Sequence, residues 1–154
     1  MIKLKQKGIS IVEVTVVIAI LGIILAVAIP GFSKIKKAQI LKTSTQDVFS
    51  VLNKARSETL ASLDSSNYGV HFQSDKVVLF KGTSYSANDA NNENINIMSP
   101  AALSVSPGGN TNVYFSKLTG TPNPAGTTTV TVSISSANLS KIITILGTGA
   151  ISVN

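Results

Sequence analysis

The sequence predicts an α+β fold: a long N-terminal α-helix, membrane-spanning in its first half and amphipathic in its second, packed on a C-terminal antiparallel β-sheet head. Three observations lead there. Residues 9–29, ISIVEVTVVIAILGIILAVAI, are apolar with Glu13 as their single charge. From Ile35 to Leu63 apolar residues recur at spacings near three and four. Beyond residue 65, short runs rich in Val, Ile, Thr, Tyr and Phe are separated by Gly, Pro, Asn and Ser.

The apolar run has 21 residues and spans about 31 Å as a helix, the thickness of a bilayer core. Many of those residues are β-branched, but a lone strand in lipid leaves its backbone groups unpaired, so hydrogen bonding decides for helix over propensity. Three readings of the segment compete. A cleaved secretory signal would use Lys3, Lys5 and Lys7 as its basic end and Ala26-Val27-Ala28 as its cleavage site. Against it stand Glu13 inside the apolar stretch and a run before Ala26 longer than the usual 7–15 or so residues. A plain signal anchor would hold its N-terminus in the cytoplasm through the three leading lysines, although Lys34, Lys36 and Lys37 oppose them on the far flank. The third reading is a resemblance, given below.

After Pro30 the stripe Ile35, Ala38, Leu41, Val48, Leu52, Ala55, Leu60 and Leu63 predicts an amphipathic helix continuing from the span. Pro30 removes a backbone donor and bends this helix without having to end it. Asp64-Ser65-Ser66-Asn67 is its expected stop. Strands are expected over 68–72, 76–81, 95–98, 103–105, 112–116, 127–135, 140–146 and 150–153. The clearest is 129–134, where Val130, Val132 and Ile134 face a core and Thr131 and Ser133 face water. Residues 106–110 and 121–126 punctuate, and Gly147-Thr148-Gly149 reads as a hairpin turn.

Charge and composition exclude several functions. Seven lysines in the first 42 residues face one acid, Glu13, whereas the remaining 112 residues hold six basic and six acidic side chains. The basic character belongs to the N-terminal segment, so nucleic acid is not an expected partner of the head. With no cysteine, disulfide scaffolds, thiolate metal sites and thiol catalysis are ruled out.

The basic leader ending in Gly8, then Ile9-Ser10-Ile11-Val12-Glu13 and an unbroken apolar helix, together resemble the type IV prepilin family. The resemblance implies a leader, residues 1–8, removed by a prepilin peptidase, with cleavage between Gly8 and Ile9 and N-methylation of Ile9. Ile9 departs from the Phe, Met or Leu commoner at that place. Glu13 matches the family's glutamate, and Gly22 and Pro30 fall where the family has a helix-loosening glycine and a kinking proline. Residues 9–29 then span the membrane, 30–64 continue the helix and 65–154 form the head. Physical reasoning supports Glu13 separately. A carboxylate in a lipid-embedded helix is costly, and the new amine four residues away can neutralise the glutamate of another subunit. A narrower resemblance, to the H-type pseudopilins of type II secretion and the FimT-type minor pilins, lies in Ala55-Arg56-Ser57-Glu58-Thr59 and in the final hairpin 143–153.

Candidates for chemistry are few. His71, the only imidazole, has no convergent Ser, Asp or ligand set in sequence and reads as a structural strand residue. Asp89-Ala90-Asn91-Asn92-Glu93 alternates oxygen ligands as calcium loops do, but lacks their turn glycine and closing bidentate Glu. It reads as a solvated loop. Arg56 and Glu58, two residues and about 200° apart on a helix, do not face each other. They read as solvated charges, the alternative being that Arg56 anchors the helix to the sheet or to a neighbouring subunit. No metal, cofactor or catalytic residue is expected.

The resemblance implies a structural subunit of the bacterial inner membrane, single-pass, N-terminus cytoplasmic and head periplasmic or external. Its partners are then other pilin or pseudopilin subunits, the prepilin peptidase and methyltransferase, an inner-membrane assembly platform and the lipid bilayer, in type II secretion or type IV pilus assembly. The rival is a FimT-like minor pilin that captures DNA for uptake. Such proteins carry arginines in the final hairpin, and residues 149–152 here have none.

Overall fold

The computed structural model of the chain describes residues 8–106 and 111–154; for residues 27–30 it describes the backbone alone. The leader lysines Lys3, Lys5 and Lys7 and the expected turn residues 107–110 lie outside the described residues. The chain divides into two compact units, Met1–Lys36 and Lys37–Asn154. Helix α1, Ile11–Leu60, supplies the described helix of both. Its backbone is helical at Gly22 and through Pro30, so the proline does not end it.

In the second unit α1 buries Ile40, Leu41, Ser44, Thr45, Val48, Val51, Leu52, Ala55 and Thr59. This face is broader than the stripe expected from the sequence and is rotated from it. Ala38 and Leu60 are exposed, whereas Ile40, Ser44, Thr45, Val51 and Thr59 are inside. Two of the buried hydroxyls are satisfied within the helix, Thr45 donating to the Leu41 carbonyl at 2.7 Å and Thr59 to the Ala55 carbonyl at 2.8 Å, whereas Ser44 Oγ has no partner among the described residues.

The helix ends at Leu60, not at the expected stop of 64–67. Its last turn closes through Ala61 N–H to the Ser57 carbonyl and Ser62 N–H to the Thr59 carbonyl. Ser62, Asp64 and Ser65 then take left-handed backbone angles, and a single 3₁₀ turn, Leu63–Ser65, leads into the sheet. Leu63 is consequently exposed. The Thr59 hydroxyl also accepts from the Tyr68 N–H at 2.9 Å, tying the end of the helix to the first strand.

Among the described residues nine strands follow: β1 Tyr68–Phe72, β2 Lys76–Lys81, β3 Glu93–Asn96, β4 Ala102–Ser106, β5 Asn112–Phe115, β6 Pro122–Asn123, β7 Thr128–Ile134, β8 Leu139–Ile145 and β9 Ile151–Val153. They form two antiparallel sheets, ordered β3-β2-β1-β5-β6 and β4-β7-β8-β9. β1 and β2 coincide residue for residue with expectation. β3 starts two residues early, because its register pairs Glu93 with Leu79 and Ile95 with Val77. β6 was not expected.

One core joins α1 to both sheets, with Val70, Val77, Phe115, Val132 and Ile143 around Val48 and Leu52. Burial on β7 alternates from Thr128 to Ile134 as the sequence pattern demands. β2 departs from alternation. Val78 and Phe80 are fully buried yet lie outside that core, on the opposite sheet face, where Tyr85 stands at 64° to Phe80 with ring centroids 6.0 Å apart. Gly69 is required beneath them, since a Cβ there would lie 2.5 Å from Phe80 Cζ and 2.8 Å from Tyr114 Cα.

Candidate functional site

The helix opens at Ile11 because Ser10 caps it. The Ser10 hydroxyl accepts from the Val12 N–H at 3.3 Å, and the Ser10 carbonyl accepts from the Val14 N–H at 3.2 Å. Glu13 is therefore the third helical residue, and Ser10-Ile11-Val12-Glu13 has the spacing of a capping box. Ser10 is a functional residue absent from the expected set, although the S-x-x-E spacing to Glu13 is legible in the sequence. Gly8, Ile9 and Ser10 precede the helix, and a Cβ on Gly8 would meet nothing within 4 Å. The Gly8–Ile9 bond thus lies two residues ahead of the first turn.

Ile9, Glu13, Val14, Val17 and Ile18 line a shallow groove of about 250 Å³. Glu13 is exposed in it, as is Ile9. Gly22 is not part of this group: it lies nine residues further on, about 13.5 Å along the axis, and its missing side chain leaves open space. Pro30 is more distant still, and only its helical backbone is described. From Ile11 to Leu25 the large apolar side chains are exposed all round the helix, Ile18 at 63% and Ile23 at 68%. Thr15 keeps its hydroxyl satisfied on the Ile11 carbonyl at 2.8 Å. The segment is long and apolar enough to cross a membrane.

In the second unit the strongest local constraint surrounds Arg56. Its Nε donates to the Gly120 carbonyl at 3.4 Å, and the side chain is half-buried. This replaces the solvated reading with the anchoring one, the anchor being within the chain. Gly149, at the tip of the β8–β9 hairpin, has φ +84° and packs so closely that a Cβ would overlap the Gly120 carbonyl oxygen and approach Arg56 Nε to 2.9 Å. Gly120, at φ +64°, lies against Leu60. Helix end, β5–β6 turn and final hairpin therefore meet at one point.

His71 is structural. Its Nδ1 lies 2.6 Å from Asn112 Oδ1 and its Nε2 lies 3.2 Å from Gln73 Nε2, while Tyr85 stacks on the ring at 3.9 Å and 7°. In the Asn-rich loop the carboxylates are engaged, while Asn92 Oδ1 is buried without a partner among the described residues. Asp89 accepts from the Asn91 N–H and side-chain amide, which hold its carboxyl below the usual range, and Glu93 pairs with Lys54. Among the described residues no three His, Cys, Asp or Glu gather as metal ligands.

The lysines of the head do not form one patch. Lys81 pairs with Asp64 at 2.9 Å and Lys117 Nζ donates to the Ser65 carbonyl, both beside the helix–β1 turn. Lys76 is at the opposite end of β2, and Lys141 lies on the other sheet beside Lys42.

An apolar helix whose later turns carry an antiparallel β head is a pilin-like fold. The family model for the prokaryotic N-terminal methylation motif matches residues 3–29. No curated protein matches the chain. Among solved structures, the minor pseudopilin EpsH from the type 2 secretion system of Vibrio cholerae shares the fold, with a TM-score of 0.54 at 13% identity, covering 74% of this chain and 95% of that one. The comparisons thus give the chain an N-terminal methylation motif and the fold of that pseudopilin.

Proposed function

We propose that the chain is a minor pseudopilin or minor pilin subunit that sits in the bacterial inner membrane through residues 9–29, is cut between Gly8 and Ile9, is methylated on the Ile9 amine and joins a filament through its N-terminal helix. The carrying observation is a helix exposed on every apolar face with one carboxylate in its first turn. Such a surface is stable only in lipid or against other helices. Cleavage after Gly8 places an ammonium group four residues from Glu13, and in a bundle the amine of one subunit neutralises the Glu13 of the next. Gly22 then lets neighbouring helices approach, because among the described residues nothing lies within 4 Å of the place its side chain would take. Pro30 adjusts the helix where it leaves the bilayer. The peptidase, the assembly platform and a separate ATPase act from the cytoplasmic side, and the head faces the periplasm or exterior.

Intact mass of the protein from its native host tests the processing: the expected chain starts at Ile9 with one added methyl group, and a chain starting at Ile29 overturns the reading. Glu13→Ala should leave insertion and head folding intact while lowering filament incorporation at least about tenfold. A deletion strain scored for both protein secretion and DNA uptake separates the two systems the subunit could serve. DNA capture is the less supported role, because the head's cations are spread in separate pairs and their contribution to phosphate binding is small.

A further inference from the structure

Among the described residues the second sheet ends on a strand, β9, whose outer edge is bare. Asn154, just past β9, exchanges both main-chain hydrogen bonds with Ile142, at 2.9 and 3.2 Å, and the Leu146 N–H donates to the Ala150 carbonyl at 2.8 Å. Hydrogen-bonded pairs alternate along an antiparallel ladder, so Thr144 and Ser152 form the pair between them. Ile151 and Val153 therefore turn both N–H and carbonyl away from β8, and no described main-chain group meets them. The other edges are less open. β3 holds the Lys54–Glu93 pair, the Leu103 N–H of β4 donates to the Ser74 carbonyl, and β6 is two residues long and starts with Pro122.

Beside the β9 edge, α1 and the helix-facing side of β8 and β9 bound a groove of about 440 Å³. Leu41, Leu139 and Val153 give it apolar walls, and Lys42 and Lys141 give it charge. Lys141 follows the alternation of Ile143 and Ile145, so it shares their sheet face with Val153. Neither lysine is in an ion pair among the described residues. An extended chain laid here finds main-chain partners, an apolar slot and two cations together.

We propose that the β9 edge and this groove take an acidic extended segment of a different subunit. The segment adds as a further strand beside β9, puts an apolar side chain against Val153 and Leu41, and sets a carboxylate two residues away between Lys42 and Lys141. The inference rests on the subunit reading above for the partner's place in the same filament, and it names the surface by which that partner docks. Charge selects the occupant. The β9 of a second copy, Ile151–Val153, brings no carboxylate to these lysines, and β3 has its glutamate tied to Lys54. A three-residue edge offers few hydrogen bonds, so specificity comes from spacing: apolar and acidic residues must stand two apart to share one face.

The probe is a seven-residue peptide, acetylated and amidated, with Thr at the odd places and Val, Glu and Glu at the even ones. It is titrated onto the full chain in neutral detergent, and amide exchange is read residue by residue. Saturable binding is expected, with exchange at Ile151 and Val153 slowed at least about tenfold and exchange at Ser152, already paired with Thr144, unchanged. Lys42→Glu with Lys141→Glu should weaken binding about fivefold. Val153→Pro removes an outward N–H and no bond to β8, so it should abolish binding while urea unfolding of the head stays nearly the same. A peptide of the same composition with its Val on the face opposite the glutamates should bind about fivefold more weakly. Four results overturn the proposal: no saturable binding at millimolar peptide, equal binding of the rearranged peptide, binding without slowed amides, or slowing that appears without peptide as the protein is concentrated. The last would make the occupant a second copy. Any of these removes the docking surface alone, whereas the subunit reading falls separately, on an intact mass that starts at Ile29.

Discussion

Residues 11–25 and residues 40–59 belong to the same helix yet obey different rules. In the first stretch Ile, Val and Leu are exposed on every side of the helix. In the second, one broad face meets two sheets, and Val48, Leu52, Ala55 and Thr59 are wholly enclosed while Gln46, Ser50 and Lys54 stay outside. Helical hydrogen bonding is common to both. What separates them is the apolar surroundings: the head brings its own, and the N-terminal stretch has none among the described residues. Amphipathicity therefore marks the part that folds on its own chain, and its absence marks the part left uncovered.

Four experiments on the full chain in neutral detergent test that division. Leu52→Ala should produce the largest loss, about 2–5 kcal/mol of head stability by urea unfolding, whereas Ile18→Ala should change it by less than about 0.5 kcal/mol. Equal losses from the two would erase the distinction between the stretches. Next comes Gly149→Ala, expected to cost about 2–3 kcal/mol, because a positive φ adds to the overlap with the Gly120 carbonyl. Gly82→Ala, at φ +110° in open space, is its control and should cost only about 1 kcal/mol. Thr59→Val should cost about 1–2 kcal/mol by leaving the buried Tyr68 N–H unpaired, and amide exchange at Tyr68 should accelerate.

The smallest effect concerns Asp64. The hydrogen bond from Lys81, and then its positive charge, hold this carboxyl below its ordinary 3.8. A depressed folded value means that the pair's contribution is present above about pH 4 and fades as the pH falls through the folded value. Asp64→Asn should therefore flatten the acid limb of a thermal-midpoint profile slightly and leave the neutral region almost unchanged. A large change at pH 7 would show that the helix–β1 turn depends on this exposed pair.

The sequence made the strands legible where a strand is half covered. The alternation in β7 and the apolar run of β2 set their limits directly. It was least informative where tertiary contacts set the limits. The helix ends at Leu60 because Thr59 turns its hydroxyl to Tyr68, an interaction nine residues apart that no periodicity announces. Ser44 and Thr45 are buried because the helix meets two sheets, which widens its inner face beyond the Leu and Val positions. The cover over Val78 and Phe80 did leave a trace: four consecutive apolar residues, Val77–Phe80, imply that both faces of β2 are shielded. At the N-terminus the motif residues Gly8, Ile9 and Glu13 were readable, but their geometry depends on Ser10, whose role follows from where the helix begins.

That cap has an electrical consequence. Aligned peptide dipoles leave roughly half a positive charge at the first turn of a helix, which favours Glu13 there by about 0.3–1 kcal/mol and opposes an ammonium group by a similar amount. Because the cap is made by Ser10's own hydroxyl and carbonyl, cutting after Gly8 would leave those two contacts in the chain and add a positive charge beside the helix's positive end. One carboxylate would then face both. Processing would turn a helix end balanced by its own glutamate into one with surplus positive charge, whose relief is an anion on a neighbouring chain.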